Sequence, residues 1–296
     1  MNPTDFTHIL TQAVDELSES SSYEGLIRQH TDGNPLPSAA ALCEIVELSR
    51  AILFPGYFGN ATLNSRTINY HIGVNVERLM ELLPQQILAG LCLDAAEGQQ
   101  PCDEALRQKA TRLAADFIGY LPQLRKLLAT DVEAAYNGDP AATGFGEIIC
   151  CYPCIRAITN YRIAHRLHLL GVPLIPRIIT EMAHSETGID IHPGAEIGSH
   201  FTIDHGTGVV IGETCIIGNR VKLYQGVTLG ARSFPLDEQG KPIKGIPRHP
   251  ILGDDVIVYS NASILGRITI GKGAVVGGNI WVTQDVEPGA RIVQKK

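Results

Sequence analysis

The sequence predicts an α+β chain in which an all-helical N-terminal part, residues 1–186, leads into a parallel β-helix over residues 187–296. Three observations carry that reading. Counting in sixes from Ile191 lands on Ile197, Ile203, Val209, Cys215, Val221 and Val227, each of them apolar. A second train, Val256, Ala262, Ile268, Ala274, Ile280, Val286 and Ile292, keeps the spacing, with Val258, Ile264, Ile270, Val276 and Val282 two residues beyond its first five members. Glycine follows an aliphatic residue at Ile197-Gly198, Ile211-Gly212, Ile217-Gly218, Leu229-Gly230, Ile270-Gly271 and Val276-Gly277, where a corner needs a residue tolerant of unusual dihedrals. A period of six is neither helical nor a simple strand alternation; it marks coils that stack and bury a common core. A β-sandwich would instead need polar turn clusters roughly every 8–12 residues.

Ahead of the repeat the apolar residues follow helical spacing. Phe6, Ile9, Leu10, Ala13, Val14 and Leu17 form one stripe, closed by Ser20-Ser21-Ser22. Pro35-Leu-Pro-Ser38 predicts a helix entry with Ser38 as N-cap, the helix carrying Leu42, Ile45, Val46, Leu48 and Ile52 to a stop at Pro55-Gly56. Further helices are expected over 69–95, 103–119 and 122–136, after which Asp139-Pro-Ala141 breaks the run. A longer apolar stretch starts at Gly146, passes Ile148, Ile155, Ile158, Tyr161, Ile163 and Leu167, and ends at Leu170 before Gly171-Val-Pro173. A last helix, about 174–184, delivers the chain to the repeat at Gly188. Stripes this wide suit a helical bundle or an oligomer contact. The repeat itself is broken once, by residues 231–247, whose Gly, Pro and charged residues predict a projecting loop of the kind that carries binding.

Composition narrows the function. The net charge of −7 argues against general nucleic-acid binding and against anionic membrane surfaces. The first ten residues lack a basic region followed by an apolar run, and no later stretch is apolar enough to span a bilayer, so the expectation is a soluble cytoplasmic protein. Seven scattered cysteines suit reduced thiols, and Cys151-x-x-Cys154, with no second pair and no His-x-His nearby, reads as helix packing rather than half a zinc site or a redox pair.

The elements Asp139-Pro-Ala, Tyr161-Arg-Ile-Ala-His165, Asp190-Ile-His-Pro, Asp204-His205, Gly208-Val-Val-Ile-Gly-Glu213-Thr, Gln225-Gly-Val-Thr-Leu-Gly230 and Arg248-His249-Pro occur in that order. Together they resemble the serine O-acetyltransferases, over residues 139 to 292. Hexapeptide repeats alone would indicate only an acyltransferase; these elements point to the serine enzyme. The resemblance implies a left-handed β-helix, against the usual crossover rule, and transfer of acetyl from acetyl-CoA to L-serine on the way to cysteine. It also implies a homotrimer, with apolar faces on the helical half for pairing two trimers, and no metal.

Chemistry gives the site a physical basis. The serine hydroxyl is a poor nucleophile near neutral pH and needs a base with a suitable pKa at hydrogen-bond distance; His205 is the candidate. By resemblance Asp190 is its partner, where a carboxylate on the other ring nitrogen would fix the tautomer and stabilise the imidazolium. The two are 15 positions apart, near one coil of about 18 residues, so stacked coils are expected to bring them together. Arg248 suits a bidentate grip on the serine carboxylate, with His249 as a second donor, while Asp139 and Asp204 suit the ammonium and hydroxyl side. Glu213 either supports this site or makes a corner hydrogen bond.

The resemblance further places acetyl-CoA along the β-helix between neighbouring subunits, near Gly230-Ala231, Ser260 and Gly278. Three features depart from the family pattern: Tyr259-Ser-Asn-Ala stands for a Gly-Ala-Gly-Ala type of corner, the 231–247 loop is longer, and the sequence stops at Gln294-Lys-Lys296. The last leads us to expect no tail-mediated docking to O-acetylserine sulfhydrylase.

Three other functions compete. An acetyltransferase for an amino sugar or another hydroxyl acceptor would leave Arg248 without a purpose. A zinc carbonic anhydrase on the same fold would draw three ligands from His192, His200, His205 and His249. A non-catalytic scaffold would have no need of both His205 and Asp190.

Overall fold

The computed structural model describes residues 3–19, 21, 35–59, 62–94 and 103–294. The chain forms two compact units, Met1–Asn34 and Pro35–Lys296. In the first, helix α1 (Pro3–Ser18) carries the stripe from Phe6 to Leu17; Ser20 and Ser22 of its expected stop lie outside the described residues.

The second unit begins with α2 (Ala39–Leu53), where the Ser38 hydroxyl caps the first turn by accepting the Ala41 N–H at 3.2 Å. Helices α3 (Ile68–Asp94) and α4 (Glu104–Gly138) follow and pack on it. The break expected between 119 and 122 does not occur. Pro122 sits on the exposed side of α4 while Phe117, Leu121, Leu124 and Leu128 on either side of it are buried, and that burial outweighs the roughly 3 kcal/mol a helix-interior proline costs. Conversely the apolar stretch from Gly146 is two helices, α5 (Phe145–Cys151) and α6 (Pro153–Leu169), because Tyr152 takes the extended backbone a following proline demands. Helix α7 (Ile175–Thr187) ends at Gly188, whose φ of 71° supplies the left-handed C-cap.

From there the chain winds through fourteen short strands. They are β1 (Asp190–Ile191), β2 (Glu196–Ile197), β3 (Thr202–Asp204), β4 (Val210–Ile211), β5 (Ile216–Ile217), β6 (Lys222–Tyr224), β7 (Thr228–Gly230), β8 (Ile251–Leu252), β9 (Ile257–Val258), β10 (Ser263–Leu265), β11 (Thr269–Ile270), β12 (Val275–Val276), β13 (Trp281–Val282) and β14 (Arg291–Ile292). Every pairing is parallel, in three sheets ordered β1-β4-β7-β10-β13, β2-β5-β8-β11 and β3-β6-β9-β12-β14, so each of the first four coils contributes one strand to each face of a triangular prism and the last contributes β13 and β14.

The register corrects the six-residue count in one place. Ile191 stacks on Ile211, twenty positions on, whereas Ile211 stacks on Leu229, eighteen on. The train from Ile191 therefore changes core position at Val209, and it survives the change because Val209 and Ile211 are both buried. The two additional residues lie in the corner between β3 and β4, where His205, Gly206 and Gly208 all have positive φ. A second departure is the loop 231–247, which is exposed and folded on itself through a bridge between Leu236 and Pro242.

Strands β1, β2 and β3 end their sheets, and α6 covers that end. Tyr161 donates its hydroxyl to the Ala195 carbonyl at 2.6 Å, Arg162 donates to the carbonyls of Ile197 at 2.7 Å and Gly198 at 2.6 Å, and His165 donates from Nδ1 to the Pro193 carbonyl at 2.8 Å. The Tyr161-Arg-Ile-Ala-His165 element is thus a docking device. Arg162 is in turn gripped by buried Asp131 of α4 through a two-pronged pair at 3.0 and 3.1 Å, and Asp131 also accepts the Phe201 N–H at 3.0 Å.

Candidate active site

The corner after β3 gathers one set of polar groups. Asp204 ends β3, and His205 turns outward with 77% of its side chain exposed and Nε2 3.7 Å from Asp204 Oδ1. The other Asp204 oxygen, Oδ2, receives Lys222 Nζ at 2.9 Å, and the same ammonium donates to the Gly138 carbonyl at the end of α4 at 2.7 Å. Asp139 follows directly as the C-cap residue of α4. Its carboxyl is held below the usual range, first by the Tyr152 hydroxyl on Oδ2 at 2.5 Å and then by the Ala141 N–H on Oδ1 at 2.8 Å; the same bond pushes Tyr152 up to about 12.

Asp190 has different company. Its Oδ1 lies 3.7 Å from Arg177 Nη1, and among the described residues no hydrogen bond or ion pair joins it to His205. The reason is the register: Asp190 stacks on Val210, and His205 falls five positions short of that, on the corner. Glu181, His184 and Asp190 each bring one ligand-type atom within 4.8 Å of one another, but Arg177, 2.5 Å from Glu181, already supplies the positive charge there.

A second set occupies the next edge of the prism, between the β1 and β2 faces. Arg248 Nη2 donates to Glu213 Oε2 at 2.7 Å, which settles Glu213 as the residue that orients the guanidinium; burial opposes the Glu213 charge, yet this bond holds its carboxyl below the usual range. His249 is buried beneath them. Thr214 donates its backbone N–H to His249 Nδ1 at 3.0 Å, so the ring is neutral with its proton on Nε2, and burial followed by the Arg248 charge pushes it down to about 4. Gly212 has no side chain because the His249 ring lies where its β-carbon would be. His192, also held below its ordinary value by burial and then Arg177, accepts the Gly194 N–H on Nδ1 at 3.0 Å.

The positions expected to meet acetyl-CoA divide between these edges. Ser260 and Gly278 lie on the His205 edge, one coil above another, with the Asn279 N–H on the Ser260 carbonyl at 2.9 Å; a β-carbon on Gly278 would stand 3.0 Å from that carbonyl. Gln225, on the coil between His205 and Ser260, has a buried Oε1 with no partner. Gly230 and Ala231 instead open the loop that leads to Arg248.

No family model matches the chain, but known proteins do. It is 52% identical over 262 residues, 88% of this chain and 82% of the relative, to a plasmid-borne serine acetyltransferase of Synechococcus elongatus. A serine acetyltransferase of Bacillus licheniformis is 45% identical over 57% of this chain and 74% of its own. The chain belongs to the serine acetyltransferase family. Among solved structures, serine acetyltransferase 1 of Entamoeba histolytica in complex with L-cysteine superposes with a TM-score of 0.74 at 34% identity, covering 95% of this chain and 94% of that one. The family enzyme of Neisseria gonorrhoeae in complex with serine gives 0.55 at 26% identity, covering 90% and 98%. With this family membership comes the left-handed sense of the β-helix.

Sequence reasoning missed three groups here. Lys222 reads as an ordinary solvated lysine on a strand, Tyr152 as a residue beside a cysteine cluster, and Thr214 as a corner residue; only the folded chain, through coil stacking for Lys222 and Thr214 and through helix packing for Tyr152, brings them to Asp204, His249 and Asp139. Of the six described cysteines, Cys43, Cys150, Cys151, Cys154 and Cys215 are free, as expected, whereas Cys92 is disulfide-bonded. Cys154 is a packing residue whose thiol burial pushes up to about 12, while Cys150 and Cys151 are exposed. Among the described residues no helix is long and apolar enough to cross a membrane.

Proposed function

We propose that the chain transfers the acetyl group of acetyl-CoA to the hydroxyl of L-serine, with His205 as general base. The observation that carries this reading is the convergence of Asp139, Asp204 and His205 at one corner, on the same prism edge as Ser260 and Gly278. Acetyl-CoA supplies the acetyl group as a thioester. His205, on an exposed corner, takes the proton as the serine oxygen bonds to the acetyl carbon, and returns it to the departing sulfur. Asp139 and Asp204 receive the ammonium, and Arg248, aimed by Glu213, receives the carboxylate with His249 Nε2–H as second donor. Asp190, which the resemblance pairs with His205, has Arg177 as its partner, and among the described residues no contact assigns it to the base.

The edge with His205 and the edge with Arg248 are different edges of one prism. A complete site therefore takes His205 from one subunit and Arg248 from its neighbour, which calls for a homotrimer with acetyl-CoA in the groove between prisms. The buried Gln225 Oε1 and the side-chain-free Gly278 fit a slender amide-bearing arm there. From His205 to Gly278 is three coils, about 15 Å at the usual strand spacing. The test is CoA release from acetyl-CoA with L-serine against a panel that includes amino sugars; turnover of a sugar but not of serine would sink the proposal.

A further inference from the structure

Among the described residues, Lys222 is the cation built into the His205 corner. It extends from β6, one coil beyond Asp204, with only 17% of its side chain exposed against 20% for Asp204. Its ammonium joins three things: Asp204 Oδ2 at 2.9 Å, the Gly138 carbonyl at 2.7 Å, and the Tyr224 ring, 4.6 Å from its centroid. Tyr224 stacks in turn on Tyr259 at 4.9 Å, so the lysine stem is walled on one side. Because Gly138 immediately precedes Asp139, a single side chain fixes both carboxylates of the corner relative to each other.

We propose that Lys222 is a positioning residue that sets the spacing and the net charge of the Asp139–Asp204 pair, so that the site accepts one ammonium group while His205 stays available as a base. This rests on the reading of His205 given above. The groups that face the corner are Asp204 from β3, Lys222 and Tyr224 from β6, Asp139 from the end of α4, Glu147 from α5, Tyr152 between α5 and α6, and the buried Cys154 thiol from α6. Two carboxylates and one ammonium leave the inner corner with one net negative charge, the complement of one substrate ammonium. Without Lys222 the corner would carry two, and an added negative charge beside an imidazole favours its protonated form.

The experiment is the pH profile of kcat/KM for serine in wild type, Lys222→Met, Lys222→Gln and Lys222→Arg. Loss of the charge moves the acid limb upward, only modestly because His205 is exposed to screening water, and costs about threefold in kcat/KM below the limb. Lys222→Gln keeps a donor for the Gly138 carbonyl and reads the charge even where Lys222→Met does not fold. Lys222→Arg keeps the charge and titrates with the wild type. An acid limb in Lys222→Gln that coincides with the wild type overturns the proposal, as does an equal displacement in Lys222→Arg. A wild-type profile that persists in His205→Ala would instead overturn the assignment of the base, and so the two failures are told apart.

Discussion

His205 Nε2 stands 3.7 Å from Oδ1 of Asp204, its own neighbour in sequence, on a corner two residues longer than the next corner along the same edge of the prism. The carboxylate beside the proposed base is therefore Asp204, and the mutational order should follow that geometry. His205→Ala is expected to lower kcat by about 10²- to 10⁴-fold with acetyl-CoA binding little changed. Asp204→Asn should cost more than Asp190→Asn, whose carboxylate faces Arg177. Steady-state kinetics of the three variants decide it; a larger loss in Asp190→Asn would restore Asp190 as the direct partner.

Division of the site between prism edges predicts complementation. Inactive His205→Ala and inactive Arg248→Ala chains, unfolded together and refolded as mixed trimers, should regain part of the wild-type activity, because some interfaces pair an intact His205 edge with an intact Arg248 edge. Mixtures that stay as inactive as their components would place the whole site in one chain.

Gly212→Ala should raise KM for serine more than it lowers kcat. The new methyl group would occupy the place of the His249 ring and shift it together with Arg248, without touching the His205 corner. Equal loss in kcat with KM unchanged would separate His249 from substrate binding.

Burial of a neutral His249 makes stability depend on pH. Folded, it takes up its proton only near pH 4; unfolded, it does so near 6.5, so between those values the unfolded chain binds more protons. Stability is then fully present above about pH 6.5 and declines as pH falls toward 4, by on the order of 2–3 kcal/mol for this one group. His192 and His165 act in the same direction. Urea unfolding of His249→Gln should show a shallower decline over that range, and a slope equal to that of the wild type would contradict the assignment.

Arg162→Ala should destabilise the fold by roughly 3–5 kcal/mol, since it strands a fully buried Asp131, whose carboxyl burial already pushes above its usual range, and frees the Ile197 and Gly198 carbonyls. The double variant Arg162→Met/Asp131→Leu should lose less than the single one in denaturant unfolding.

The sequence announced the prism through its buried rows, because a core position tolerates only apolar residues and such positions recur at fixed spacing. It also marked Asp139, Asp204, His205 and Arg248, whose types suit the chemistry. Contacts between coils were not legible, since they depend on how many residues each corner holds: with two extra residues in the corner after β3, Asp190 stacks on Val210, and His205 stays on the corner five positions before it. Helix boundaries failed in two ways. Pro122 looked like a terminus but lies on the exposed side of α4, a tertiary fact, whereas the break at Tyr152 follows from Pro153 and was hidden by the continuous apolar pattern around it.

The cover that α6 forms over β1, β2 and β3 reaches beyond the domain itself. A coil of parallel strands that ends in bare carbonyls is a template on which the next molecule's first coil could continue the winding, and identical prisms would then join end to end into a fibre. Tyr161, Arg162 and His165 spend those acceptors within the chain, so this end offers no free row of carbonyls on which another molecule's coil could continue the winding.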